Sequence, residues 1–154
     1  MAGHSNLEWT NATWNPLVGC AKYSDGCKNC YAMPNIVMGV TIEDDKYRDR
    51  LNDLKAVSAH MKYLSLEPLL GRIEWLDLTG IDWVIAGGES GPNARPMDTD
   101  WVREIRDWTL AQGKAFWFKQ YSEYGCYGNV PEPVLDEKKY KQFPEFKSGT
   151  PALF

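Results

Sequence analysis

The feature that most constrains the fold is a set of four short apolar segments, at residues 35–43, 61–70, 82–90 and 114–120. Each segment is rich in β-branched or aromatic side chains and is apolar almost without interruption, which is typical of strands buried on both faces of a parallel sheet. Helical patterns separate the first segment from the second and the third from the fourth. This alternation predicts βα units, and therefore an α/β protein with a parallel sheet.

The two helical patterns occupy residues 44–59 and 98–113. In each of them, apolar side chains recur every three or four positions, which predicts an amphipathic helix with one buried face. The second helix has Asp98 or Thr99 as its expected N-cap. It is expected to stop at Gly113, because glycine commonly follows the last helical residue.

The length of 154 residues and the hydrophobic fraction of 44% are ordinary for one soluble domain. We expect a single domain over residues 1–154, with a βα core at 1–123 and a tail at 124–154. The tail is rich in Pro, Gly, Lys and Glu, which favours irregular structure. A fifth strand is expected within residues 11–19.

Polar residues follow each of the four apolar segments. Parallel strands place their carboxyl ends at one edge of the sheet, where α/β proteins bind ligands, so we expect one shared site there. Crowded carboxylates need a counter-charge, and Lys119 or Arg95 can supply it. The glycine-rich turn can bring backbone N–H groups close to an anion, although a plain tight turn is the alternative interpretation. The candidate residues are Glu43, Glu67, Gly87, Gly88, Glu89, Ser90, Arg95 and Lys119.

Three cysteines, Cys20, Cys27 and Cys30, lie within eleven positions directly after the expected fifth strand. A disulfide, a zinc ion and an iron–sulfur cluster are the candidate explanations. The N-terminus lacks the pattern of a signal peptide, and no apolar run has the length of a membrane span. We therefore expect a cytoplasmic protein without membrane attachment, in which thiols stay reduced, and this weakens the disulfide explanation.

The remaining explanations differ in the number of ligands that they need. Structural zinc prefers four ligands, so Cys126, His4 or His60 would have to complete the three-cysteine set. A 4Fe-4S cluster usually takes four cysteines, and with three it leaves one iron open to a substrate or cofactor. Reduced thiols without a metal are a further explanation. The residues alone leave these alternatives open.

Several motifs of this chain resemble, in wording and in order, those of a family of phage and prophage proteins. That family is classed as radical-SAM-like and is otherwise of unknown function. The resemblance covers residues 7–121. The matching stretches are WTNATWNPLVGCAKYSDGCKNCYA, MGVTIED, LSLEPLLG, IDWVIAGGESGPNARPM and FWFKQ.

The resemblance implies a fold, a cofactor and a set of site residues. The implied fold is a partial TIM-type barrel of parallel βα units. The implied metal ligands are Cys20, Cys27 and Cys30, which would hold a 4Fe-4S cluster with S-adenosylmethionine on its open iron. Seven of the eight candidate residues at the carboxyl edge, all except Glu43, match other positions of the family pattern, and all eight are assigned to cofactor binding.

One departure from the family lies directly after the cysteine loop. Relatives have a long segment before the next strand, whereas here Ala32 is followed at once by Met33 and Pro34. A βαβ unit takes about 30 residues, so two or three βα units are missing and we expect a contracted barrel with open sheet edges. A second copy of the chain, in a homodimer, or a host protein is expected to cover those edges.

Two functions are consistent with these residues. The intact motifs favour a radical-SAM-type enzyme, in which a cluster passes one electron to bound S-adenosylmethionine. The missing units favour a non-catalytic binding module of a phage or mobile element, for example an inhibitor of a host defence system, with a structural metal or none. The net charge of -4 gives no basic footprint for nucleic acid.

Overall fold

The computed structural model describes residues 37–122 and 132–145, together with two short strands near the N-terminus, β1 (Gly3–His4) and β2 (Ala12–Thr13). β1 and β2 pair with each other in antiparallel orientation and form a sheet of their own. A fifth strand was expected within residues 11–19, of which the structure describes Ala12 and Thr13. Its described part is a two-residue strand, which pairs with β1 and does not extend the parallel sheet.

The main sheet has four parallel strands in the order β3-β4-β5-β6. This confirms the predicted parallel α/β architecture and the positions of its strands. Within the described residues the sheet is open, with β3 and β6 at its two edges. The strands are β3 (Val37–Thr41), β4 (Met61–Leu66), β5 (Trp83–Ala86) and β6 (Ala115–Phe118).

Helices connect β3 to β4 and β5 to β6, as predicted. A short 3₁₀ turn (Asp45–Tyr47) and helix α1 (Arg50–Ala56) form the first connection, and helix α2 (Thr99–Ala111) forms the second. Asp98 caps α2, since its carboxylate accepts a hydrogen bond of 2.9 Å from a backbone N–H of the first turn. Gly113 has a φ of 68°, the left-handed conformation in which helices commonly end. None of the helices described has both the length and the apolar character that crossing a membrane requires.

The two faces of the sheet carry different side chains, because successive residues of a strand point to opposite faces. The helix face holds the main hydrophobic core and packs against α1 and α2. The opposite face, which we call the aromatic face, holds a smaller cluster. The helix face includes Leu64, Leu66, Val84, Phe116 and Phe118, and the aromatic face includes Tyr63, Trp83, Ile85 and Trp117.

Residues 132–145, which we call the C-terminal strap, pair with the outer edge of β6. The N–H of Phe118 donates to the carbonyl of Tyr140 at 2.8 Å, and the N–H of Gln142 donates to the carbonyl of Phe116 at 3.1 Å. The tail was expected to be irregular, and its described part contains only isolated bridges and turns, while it covers one of the two sheet edges. A partner is therefore not needed at the β6 edge.

Candidate functional site

One row of residues crosses the carboxyl edge of the sheet on the aromatic face. The register of the strands sets this row, since Thr41 lies opposite Ser65 and Ala86 lies opposite both Leu66 and Phe118. The next residues on the aromatic face then fall side by side, just past the strand ends. The row consists of Glu43, Glu67, Gly87 and Lys119.

Glu67 and Lys119 form an ion pair across this row. Lys119 Nζ lies 2.5 Å from Glu67 Oε1, and the two side chains are 27% and 12% exposed, respectively. The two residues follow β4 and β6, which are separated by β5, and neighbouring strands are about 4.8 Å apart. Both side chains must therefore reach over β5 to meet.

Gly87 lies between Glu67 and Lys119 in the row and leaves space for their contact. A Cβ atom at position 87 would lie 3.3 Å from Glu67 Oε1 and 3.3 Å from Lys119 Cβ. Backbone hydrogen bonds hold the glycine in place, with its N–H donating to Leu66 at 3.2 Å and its carbonyl accepting from Leu69 at 2.9 Å. A side chain at position 87 would therefore crowd the two charged side chains, which would have to shift by a few tenths of an ångström.

The Glu67 carboxyl has a perturbed pKa. Burial raises its pKa above the ordinary value, and the neighbouring Lys119 opposes that shift. Burial also raises the pKa of Tyr63, with a smaller contribution from the charge of Glu67. Tyr63 precedes Glu67 by four residues on the same face of β4, and its ring lies across Gly39, where a Cβ atom would overlap it.

Glu43 pairs with a residue that the sequence analysis did not name. Arg50, the first residue of α1, lies 3.0 Å from Glu43 Oε2 through Nη1, and the same nitrogen donates to the carbonyl of Thr41 at 2.7 Å. The guanidinium also lies 4.2 Å from the centre of the Tyr47 ring. The counter-charge of Glu43 therefore comes from the helix that follows it, whereas Lys119 or Arg95 was expected to supply it.

Glu89 and Arg95 form a second pair, within one exposed loop. Glu89 accepts hydrogen bonds of 2.8, 2.9 and 2.8 Å from the backbone N–H, Nε and Nη2 of Arg95. These bonds lower the pKa of the Glu89 carboxyl to about 2. Asn93 lies between them with a φ of 65°, and Ser90 is exposed. The pair therefore connects two residues of one loop, and Arg95 is the counter-charge of Glu89.

Gly88 has a packing role. Its N–H donates to the carbonyl of Gln120 at 2.9 Å, and its carbonyl accepts from the Gln120 side chain at 3.0 Å. A Cβ atom at position 88 would overlap the backbone of Ser122. The turn after β5 is thus fixed against the segment after β6, which explains glycine here without a ligand.

The eight predicted residues therefore divide into separate groups. Glu67, Gly87 and Lys119 lie in contact with one another. Glu43 lies in the same row but pairs with Arg50 of α1. Glu89 and Arg95 contact each other within a separate loop. The sequence analysis missed Tyr63 and Arg50. The alternation of Tyr63, Ser65 and Glu67 along β4 could have indicated the first of them.

A surface cleft elsewhere contains none of the predicted residues. It is lined by side chains of α2 and of the loop after β4, and Arg72 and Glu104 form an ion pair of 2.8 Å beside it. Its lining residues are Arg72, Glu74, Trp75, Glu104, Asp107 and Trp108. Its acidic residues each have an arginine partner, so the cleft offers no clear charge for a ligand.

The predicted metal ligands Cys20, Cys27 and Cys30, and Cys126 with them, lie outside the described residues. Residues 37–122 and 132–145 contain no group of three or more His, Cys, Asp or Glu side chains that could hold a metal ion. Metal binding by the cysteine loop therefore stays a prediction.

Within residues 37–122 and 132–145, the fold and the site define an open, parallel α/β sheet with a charged row at its carboxyl edge. The chain belongs to the family described as "Protein of unknown function (DUF5131)", whose model matches residues 4–34 and 32–144. The two matched segments meet at 32–34, which is where the sequence analysis locates the missing units. No curated protein and no solved structure matches the chain.

Proposed function

We propose that this chain is a phage-type, radical-SAM-like protein that binds S-adenosylmethionine at the carboxyl edge of its sheet, beside a metal centre on Cys20, Cys27 and Cys30. The observation that carries the proposal is the contact between Glu67 and Lys119, a partly buried acid–base pair assembled from two separate strands.

Stability alone is a weak reason for this pair. Removing two charges from water costs much of what their attraction returns, so a partly buried ion pair contributes little compared with apolar packing. The aromatic face directly below offers such packing, with Ile85 and Trp117 nearly fully buried. Perturbed carboxyl groups at the ligand-binding edge of a parallel sheet are frequently functional. A ligand for these charges is therefore the better explanation.

The charges of the pair fit one end of S-adenosylmethionine. Its methionyl group carries an ammonium and a carboxylate on the same carbon atom. When the pair opens, Glu67 can accept hydrogen bonds from the ammonium, and Lys119 can donate to the carboxylate. The absence of a side chain at Gly87 leaves space between the two contacts.

The cysteine loop provides the second part of the proposal. Three thiolates can hold a 4Fe-4S cluster with one iron open to another ligand, and zinc with a fourth ligand is the alternative. When bound next to S-adenosylmethionine, such a cluster supplies one electron. We infer that the four parallel strands are the retained part of a partial TIM-type barrel, to which the three cysteines would be attached.

Anaerobic purification followed by a visible spectrum and metal analysis tests the metal centre. We expect a brown protein containing iron and sulfide, and we expect the triple variant Cys20→Ala, Cys27→Ala, Cys30→Ala to lose both. Replacement of Cys126 alone should leave the spectrum unchanged if three cysteines suffice. A colourless protein with stoichiometric zinc would indicate that the cysteines hold a structural zinc ion and no cluster. A metal-free protein would contradict the proposal.

A non-catalytic binding module is the second candidate function. It is supported by the interruption of the family match at 32–34 and by the outer edge of β3, which pairs with no described strand. In this case a second copy of the chain or a host protein would cover that edge. Reductive cleavage of S-adenosylmethionine by the loaded protein would favour the enzyme, whereas binding without cleavage would favour the module.

A further inference from the structure

The C-terminal strap passes from one face of the sheet to the other. On the helix face, Leu135 is fully buried in the main core. Asp136, the next residue, binds Arg103 and Arg106 of α2 at 2.9 and 2.5 Å. On the aromatic face, the ring of Phe143 lies 4.9 Å, centre to centre, from that of Trp117. The strap is thus anchored on both faces and crosses the edge of β6 between them.

The crossing places Lys141 close to the candidate site. Lys141 lies opposite Trp117 in an antiparallel bridge, and residues so paired have their side chains on the same face. Its Nζ atom lies 4.3 Å from the centre of the Trp117 ring. Trp117 precedes Lys119 by two residues. The ammonium groups of Lys119 and Lys141 therefore both lie on the aromatic face, beside β6.

An electrostatic effect indicates the same neighbourhood. The positive charge of Lys141 lowers the pKa of Glu67, in addition to the larger effect of Lys119. A surface lysine on an unrelated face would be screened from a partly buried carboxyl group. Two ammonium groups, those of Lys119 and Lys141, therefore act on the one carboxylate of Glu67 at this row.

We propose that Lys141 is a binding residue of this site, and that the two lysines together receive an anionic group, a carboxylate or a phosphate, of the ligand. The inference rests on the proposed function for the identity of the ligand, but its charge requirement is independent of that identity. It also makes the strap a part of the site, since the strap carries Lys141 to the row. The strap does more than cover the edge of the sheet.

Lys141→Met tests the charge while keeping an apolar stem over Trp117. The matched control is Lys138→Met, which removes an exposed lysine elsewhere in the strap. Lys141→Arg restores a positive charge. Each full-length variant is titrated with S-adenosylmethionine and, separately, with inorganic phosphate, by calorimetry and by the carboxyl NMR signal of Glu67. Loss of one charge-assisted hydrogen bond weakens binding about tenfold or more.

The inference predicts weakened S-adenosylmethionine binding in Lys141→Met, wild-type binding in the Lys138 control, and recovery in Lys141→Arg. If S-adenosylmethionine does not bind but phosphate binds in a Lys141-dependent manner, the anion site stands and the ligand of the proposed function is wrong. If the wild-type protein binds neither probe, or if Lys141→Met binds as tightly as the wild type, the inference is overturned. The Glu67 pKa should also rise in Lys141→Met and not in the control.

Discussion

Two acid–base pairs lie at the ends of neighbouring strands of this sheet, and they differ in where their partners come from and in the pKa shift of their carboxyl groups. The Glu67–Lys119 pair joins two strands across Gly87, and burial raises the pKa of its carboxyl group. The Glu89–Arg95 pair joins residues of one loop, where Arg95 is 59% exposed and lowers the pKa of Glu89 to about 2. Burial of the first pair costs desolvation free energy. The second pair lies in an exposed loop, where its hydrogen bonds connect two residues of that loop.

The comparison shows which kind of pair indicates a site. A carboxylate satisfied by three hydrogen bonds from one nearby arginine has little to gain from a ligand. A carboxylate that is partly buried and held by a lysine from another strand can exchange that contact for a ligand of matching charge. The proximity of both pairs to strand ends does not distinguish them.

The largest expected difference between the pairs is in stability. Lys119→Met removes the lysine that contacts the partly buried carboxylate of Glu67, and we expect the free energy of unfolding at pH 8 to fall by about 2 kcal/mol. Arg95→Met should cause a smaller loss, because the pair that it breaks is exposed. Urea denaturation measures both. The double variant Glu67→Gln, Lys119→Met should recover most of the loss, and equal losses in Lys119→Met and Arg95→Met would contradict the distinction.

A smaller effect is expected from the glycine between the two charges. In Gly87→Ala the new Cβ atom crowds Glu67 and Lys119, and mild overpacking of this kind costs about 1 kcal/mol. Ser90→Ala, in the exposed loop, is the control and should be neutral. Thermal and urea denaturation of both variants check the result. A neutral Gly87→Ala would mean that the ion pair does not depend on the space at this position.

The pH dependence should have opposite signs for the two glutamates. The pKa of Glu67 is raised in the folded state. The contribution of Glu67 to the free energy of unfolding is therefore most favourable below the ordinary pKa of 4.5, and it is lost as the pH rises through the folded pKa. The folded pKa of Glu89 is lowered, so its contribution is present above 4.5 and is lost as the pH falls towards about 2.

Unfolding free energies of the wild type, Glu67→Gln and Glu89→Gln between pH 2 and 8 measure these two effects. The difference between the wild type and Glu67→Gln should fall with increasing pH, and the difference between the wild type and Glu89→Gln should rise. Slopes of the same sign would show that the two carboxyl groups occupy similar environments.

The fold could be predicted from the sequence because its signals are local. Continuous apolar runs gave the four parallel strands, and Asp98 marked the start of α2, since a capping residue acts on the turn directly after it. The strap could not be predicted in this way. Leu135 is followed by Asp136, Glu137 and Lys138, and this charged context hides a side chain that is fully buried in the main core.

Only part of the site could be predicted, because strand ends are local signals whereas contacts between strands are not. The strand ends located Glu67 and Lys119 along the chain, but only the register of three strands makes them meet. The local partner of Glu89, six residues away, was assigned to the shared site because sequence alone does not show which way a loop turns. Lys141 was missed because its position depends on the strap crossing the edge of β6.

Titration of anaerobically prepared protein with S-adenosylmethionine by isothermal calorimetry tests directly whether the Glu67–Lys119 pair is a ligand site. We expect that the wild type binds, that Glu67→Gln and Lys119→Met each weaken binding about tenfold or more, and that Glu89→Gln binds as the wild type does. If Glu89→Gln loses as much affinity as Glu67→Gln, or if Glu67→Gln and Lys119→Met bind unchanged, the Glu67–Lys119 pair is not the ligand site.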